Sequence, residues 1–134
     1  MIKNMTRYGI PYLFCIILLA AGGLPLACGG SGSSEADDEG IGAECTTAAD
    51  CEDPQVCLSL KGGYCTLICI DDDDCPDGSL CGSLSGGIDH CFLTCTDKSE
   101  CNNNRGADDE SNCSSDVDFV ESHPTTKACV PPSS

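Results

Sequence analysis

Cys45-TTAAD-Cys51-EDPQV-Cys57-LSLKGGY-Cys65 is the first unit of a pattern that runs almost to the end of the chain. Three residues later it begins again as Cys69-IDDDD-Cys75-PDGSL-Cys81-GSLSGGIDH-Cys91. After three more it starts a third time as Cys95-TDKSE-Cys101, with longer gaps to Cys113 and then Cys129. The first gap is five residues in every unit; the second is five, five and eleven, and the third seven, nine and fifteen. An acid precedes the second cysteine each time, as Asp50, Asp74 and Glu100. Ser59-Leu60-Lys61-Gly62-Gly63 also returns 24 residues on, as Ser83-Leu84-Ser85-Gly86-Gly87. Agreement in both spacing and side chains defines three tandem four-cysteine units, 45–65, 69–91 and 95–129, followed by a tail over 130–134.

Working outward, the 85 residues from Cys45 to Cys129 contain only 14 Leu, Ile, Val or Phe, about 16%. A chain that poor in large apolar side chains does not bury enough surface to offset its ordering entropy. Cross-links change the balance, since each small loop closed in the unfolded state contributes about 3 kcal/mol in the chain-entropy model. Twelve cysteines over the units allow six bridges in place of the missing core. The expected fold is therefore small and disulfide-rich, mostly loops and short β-hairpins. Strands are expected around Val56, Leu58 and Leu60 and around Leu80 and Leu84, where apolar and polar positions alternate. Gly62-Gly63 and Gly86-Gly87 read as tight turns. No helical periodicity is sustained after the N-terminal segment. Twelve cysteines permit a great many pairings; closure within each unit, first to third and second to fourth, is the expected one.

Residues 1–27 hold Lys3 and Arg7 and no acid, so their removal takes the net charge from -16 to -18. The apolar run Ile10–Leu19 follows, then Ala20-Ala21-Gly22-Gly23. A basic start, a short apolar stretch that would be helical and a small-residue exit describe an export signal. The run is short for a bilayer span, which takes about 20 residues. Leu24-Pro25-Leu26-Ala27-Cys28 resembles the lipobox of bacterial lipoproteins, although Pro25 stands where that family has leucine. The resemblance implies cleavage after Ala27, acylation of Cys28 and membrane attachment through its lipid. With Gly29 rather than aspartate after the cysteine, it further implies sorting to the outer membrane of a Gram-negative cell envelope. The arithmetic agrees: Cys15 leaves with the signal, Cys28 takes lipid, and an even twelve remain to pair. Residues 28–44 then read as a flexible Gly/Ser and acidic tether, with a reach of roughly 20 Å as a random coil.

The C-x5-C-x5-C spacing with Gly-Gly before the last cysteine is similar to that of the cysteine-rich repeat lipoproteins common in myxobacteria, and more loosely to the cysteine-rich segments of Dickkopf-type proteins. The resemblance implies an extracytoplasmic disulfide-rich module without an assigned activity. The third unit departs through its insertions, Asn102–Asn112 and Ser114–Ala128, where unit-specific recognition is expected because loops carry it.

The chemistry on offer is narrow. Zinc sites and dithiol oxidoreductases use Cys-x2-Cys, and this chain has only Cys-x3-Cys, at Cys65/Cys69 and Cys91/Cys95. The two histidines, His90 and His123, lie in no hydrolase motif and read as surface-loop residues. No catalysis is expected. The acidic run Asp71-Asp72-Asp73-Asp74, with Asp77, offers oxygens of the kind calcium takes, which makes Asp71, Asp73 and Asp77 the metal candidates. An EF-hand register from Asp73 places Cys75 and Leu84 at ligand positions, so that motif fails. A solvated acidic loop is the plainer reading. Only Lys61, Lys98, Arg105 and Lys127 are basic beyond residue 27, which argues against nucleic acid. The expected protein is thus a non-catalytic, lipid-anchored interaction or structural module with no cofactor and an unidentified protein or glycan partner. A calcium-dependent binding module is the alternative.

Overall fold

In the computed structural model, which describes residues 33–132, every unit repeats one construction. A short 3-10 turn follows the first cysteine: Ala48–Asp50 and Asp72–Asp74 end just before the second, and Lys98–Asn102 runs through it. A hairpin follows whose strands carry the third and fourth. These strands are β1 (Val56–Leu58) and β2 (Tyr64–Thr66), then β3 (Ser79–Ser83) and β4 (His90–Cys95). In the third unit they are β5 (Asn112–Ser114) and β7 (Lys127–Val130), with the two-residue β6 (Asp118–Phe119) between them. The third and fourth cysteines sit directly opposite each other in each hairpin, as Cys57↔Cys65, Cys81↔Cys91 and Cys113↔Cys129. They do not bond each other. Each is tied back to its turn, giving Cys45–Cys57 and Cys51–Cys65, Cys69–Cys81 and Cys75–Cys91, Cys95–Cys113 and Cys101–Cys129. This is closure within each unit, first to third and second to fourth.

The recurring acid explains the constant first gap. A turn too short to satisfy its own backbone needs side-chain acceptors. The Asp50 carboxylate accepts the Thr46 N–H at 2.8 Å, Asp74 that of Ile70 at 2.8 Å, and Glu100 that of Thr96 at 2.6 Å. In all three units the acid reaches back four residues and closes the loop between the first two cysteines, so length and acid are specified together.

The units are joined rather than strung. One sheet of order β5-β7-β4-β3-β6 combines the second and third units, because β6, inside the third unit's long insertion, pairs with β3. The first hairpin is a separate two-stranded sheet. It is bonded to β4 through Tyr64, whose buried hydroxyl accepts the Leu93 N–H at 3.0 Å, and through the Thr66 hydroxyl, which donates to the Cys91 carbonyl at 2.6 Å. A buried tyrosine needs such a partner, and burial pushes its pKa up. Its ring lies 5.4 Å from that of Phe92, and around the pair gather Ile41, Leu93, Val117 and Ala128.

The N-terminal half of this core corrects the tether expected over residues 28–44. Ser34 to Glu44 lie on the domain, not off it. Helix α1 (Glu35–Asp38) is capped by Ser34 and buries Ala36 completely, as the following turn buries Ile41. The backbone is bonded along its length: the Ala36 N–H donates to the Asp77 carbonyl at 3.0 Å, and that of Gly42 to the Cys65 carbonyl at 2.8 Å. Composition concealed this, since two small apolar anchors among polar residues look like linker. The signal segment, Cys28 and Gly29–Gly32 lie outside the described residues, as do Ser133 and Ser134 of the tail.

Arg105, in the first insertion of the third unit, fastens that unit to the first. Its guanidinium donates to the carbonyls of Asp109 (2.6 Å), Gly42 and Gly63 (2.9 Å each) and Lys61 (3.0 Å). Hydrogen bonds to a charged group contribute about 1.5–3 kcal/mol each and are not additive. Arg105→Ala is expected to lower the stability of the disulfide-intact protein by about 2–4 kcal/mol in urea unfolding. Arg105→Lys should recover only part of the loss, because an ammonium lacks the planar fork.

The two Gly-Gly turns are not equivalent. Gly63 and Gly87 both have positive φ, +71° and +119°. A Cβ on Gly63 would collide with the Cys45 carbonyl, whereas one on Gly87 meets nothing within 4 Å. Gly87→Ala should therefore cost about 1–2 kcal/mol, the left-handed backbone penalty alone. Gly63→Ala should cost clearly more, and parallel urea curves of the two variants check the order.

Candidate functional site

A cleft of about 960 Å³ has three walls. One wall is the N-terminal segment, through Ser33, Ser34, Asp37 and Asp38. The second is the 3-10 turn of the third unit and the residues just beyond it, through Ser99, Glu100, Asn103 and Asn104. Thr125 and Thr126, from the other insertion, form the third, and the end of β4 with Gly78 lines the rest. Both insertions of the third unit thus reach the cleft.

Hydrogen bonds hold the polar faces of the walls. Asp37 Oδ2 accepts the N–H and the hydroxyl of Ser34, at 3.2 and 2.9 Å. Asn104 Nδ2 donates to the Asp37 carbonyl at 2.9 Å, tying the N-terminal segment to the third unit. The Ser33 hydroxyl donates to Asp38 at 2.7 Å. Beneath, the Thr94 N–H donates to the Gly78 carbonyl at 2.9 Å. Bonds from the Thr96 and Asp97 N–H groups hold the Glu100 carboxyl below its ordinary pKa, and those from Thr47 and Thr46 do the same for Asp50.

The resulting surface has hydroxyls, two carboxamides and three carboxylates, with no lysine, arginine or aromatic ring in its lining. It can accept hydrogen bonds from hydroxyl and ammonium groups. Ionised carboxylates repel phosphate or carboxylate ligands. No histidine lines it.

The two histidines lie elsewhere and are not the loose surface residues expected. His90 opens β4, half-buried, and burial holds its pKa below the ordinary histidine value. His123, also half-buried, places Nε2 2.7 Å from Asp72 Oδ2 and its ring edge-on to Phe119. The other Asp72 oxygen accepts the Cys81 N–H at 2.9 Å. Asp72 therefore fastens the second insertion of the third unit to the second unit. It was indistinguishable by sequence from its three neighbours in the aspartate run.

Asp71, Asp73 and Asp77 are all exposed. Among the described residues, the only groups of three or more side chains whose ligand atoms lie within 4.8 Å of one another are cysteine sets: Cys45/Cys51/Cys65, Cys69/Cys75/Cys81 and Cys95/Cys101/Cys129. Each of those sulfurs is already in a disulfide and has no thiolate to offer. The three aspartates are thus not gathered into one ligand set. Asp77 instead meets the N-terminal helix, its N–H donating to Glu35 Oε2 at 3.2 Å.

No protein-family model, no curated protein and no solved structure matches this chain.

Asp50 and Glu100 bind their protons less tightly folded than unfolded. Their contribution to stability is complete above the ordinary carboxylate pKa, near 4, and is lost as pH falls through the lower folded values. In the double variant Asp50→Asn, Glu100→Gln the fall in melting temperature between about pH 5 and 3 should be shallower than in the parent. Calorimetry across that range measures it.

Proposed function

We propose that this chain is an exported, lipid-anchored, non-catalytic binding module that holds a hydroxyl- or ammonium-bearing ligand in the cleft between its N-terminal segment and its third unit. The observation that carries the reading is the cleft itself, polar, anionic and framed by cross-linked elements. A site whose walls are held by disulfides and hydrogen bonds is organised before the ligand arrives, which lowers the ordering cost of binding.

The anchor reading draws on two facts. The twelve cysteines from Cys45 to Cys129 close six disulfides among themselves, leaving none to partner Cys28. Ser34 caps α1, and in sequence only Gly29–Ser33 separate a lipidated Cys28 from that cap. Five residues extend at most about 17 Å. Because Ser33 and Ser34 line the cleft, such an anchor keeps the ligand site close to the membrane and makes outer-membrane attachment part of its function.

Intact mass of the protein from membranes of a Gram-negative host, before and after reduction and alkylation, tests the anchor. Acyl chains on a polypeptide beginning at Cys28, with twelve thiols released only on reduction, are expected; an unlipidated soluble chain refutes the anchor. For the cleft, a glucosamine trisaccharide combines hydroxyls with ammonium groups, and its N-acetylated form removes the charge. Amide-shift mapping should place the ammonium form on Thr96, Ser99, Asn103 and Asn104 and show weaker binding of the acetylated one. Ser99→Trp, which fills the cleft without touching a disulfide, should abolish the shifts. Shifts scattered over the surface, or unchanged in this variant, refute the assignment.

A further inference from the structure

Asn112-Cys113-Ser114 has the Asn-x-Ser/Thr form of an acceptor for N-linked glycan transfer, with no proline in the middle. The sequence holds one other match, Asn4-Met5-Thr6, inside the segment that reads as an export signal. Some bacterial transferases also read an acid two residues before the asparagine. Glu110 stands there in the first case and Ile2 in the second. A three-residue motif also arises by chance, so its setting decides.

Four asparagines fall among the described residues, and three have structural work. The Asn102 carboxamide donates to the carbonyls of Lys98 and Ser111, at 2.8 and 3.1 Å. Asn103 donates to the Asp37 carboxylate at 3.4 Å, and Asn104 to the Asp37 carbonyl at 2.9 Å. Asn112 differs from these: it is exposed, and its carboxamide bonds no described residue. It opens β5, the outer strand of the five-stranded sheet, where the first insertion of the third unit ends. Neither Asn112 nor Cys113 nor Ser114 lines the cleft, so a bulky, hydrated group on Asn112 leaves the ligand site open.

Chain order leaves time for the reaction. In the folded protein the triplet is engaged, with Cys113 bonded to Cys95 and the Ser114 hydroxyl donating to Asp116 at 2.6 Å. In a chain that emerges N-terminus first, however, the third unit closes last. Cys101 waits for Cys129, 28 residues on, whereas the bridges of the first two units span 12 to 16. We propose that Asn112 is N-glycosylated as the chain is exported, a reading that rests on export because such transfer takes place outside the cytosol. The donor is an oligosaccharide carried on a polyprenyl pyrophosphate. The Asn112 carboxamide nitrogen attacks C1 of its first sugar, forming a C–N bond. The bond from C1 to the pyrophosphate oxygen breaks, the pyrophosphate leaves with the electron pair, and one amide proton passes to a base of the transferase.

The test uses the full chain expressed in its own cells and purified from their envelope. After reduction and alkylation, trypsin releases the peptide Gly106–Lys127, and its fragmentation should place one oligosaccharide on Asn112. Asn112→Gln and Ser114→Ala should each abolish the mass increment. Neither removes a cysteine or a buried side chain, so both variants should fold, and the absence of free thiols before reduction checks that they have. An unmodified Asn112 on a chain processed to Cys28 overturns the proposal and leaves the export reading standing. An unmodified chain that still carries residues 1–27 overturns both. Sugar on Ser111, Ser114 or Ser115 in place of Asn112, or an increment that survives Ser114→Ala, overturns the assignment as well.

Discussion

In every unit the third and fourth cysteines face each other across a hairpin, within easy reach of a direct bond, and in every unit both sulfurs are drawn instead to the turn that precedes the hairpin. The difference matters. A third-to-fourth bond would duplicate what the hairpin's ladder already does and leave the turn free. The crossed pairing pins a three- to five-residue 3-10 turn, which has no stability of its own, across a two-stranded ribbon that is itself marginal in water. Neither element would persist alone, and two bridges between them constrain both. The acid before the second cysteine finishes the arrangement by satisfying the N–H that the constrained turn exposes.

Between units the same scarcity of apolar surface forces a different means of attachment. The core has two aromatic rings and a handful of aliphatic groups, so the joints rely on polar contacts made in sheltered places. Tyr64 and Thr66 bond β4, Arg105 gathers four carbonyls, Asp72 bonds His123 and the Cys81 N–H, and β6 extends the second unit's hairpin from within the third. Such joints gain little net free energy individually but are costly to break, because each leaves a sheltered polar group without a partner. Among the side-chain nitrogens and oxygens of the described residues, only Gln55 Oε1 and Ser111 Oγ are buried without one. Geometry between the units is therefore specified by these polar joints.

What was legible in the sequence is what the covalent pattern controls. Constant spacing, the repeated acid and the Gly-Gly turns define the unit, and strands appear at Val56, Leu58 and Leu80, whereas Leu60 and Leu84, expected to continue them, lie beyond the ends of β1 and β3. The joints were not legible, because nothing local marks them. Arg105 looks like any surface base, and Asp72 like the other members of an aspartate run. Ala36 and Ile41 are two anchors in a stretch whose composition reads as linker, so one wall of the cleft was assigned to the tether. The other two walls draw on the third unit's insertions, which spacing alone singled out, and on the 3-10 turn beside the first of them. Long-range contacts of this kind depend on where three turns meet in space, and single-residue identities carry no record of that.

The acidic composition follows from the same construction. Like charges at this density repel one another and penalise a compact chain, the more so where few apolar groups oppose them. A fold held by six covalent links tolerates that repulsion, since the unfolded chain is confined by the same bridges and gains less by expanding. The links thus free the surface from stabilising the fold, and its carboxylates can be placed for other ends. Some close turns, as Asp50 and Glu100 do; Asp72 joins two units. Asp37, Asp38 and Glu100 line a cleft without bases. An anionic lining of that kind repels anionic ligands, so the charge that composition alone assigns to solubility also shapes the chemistry of the cleft.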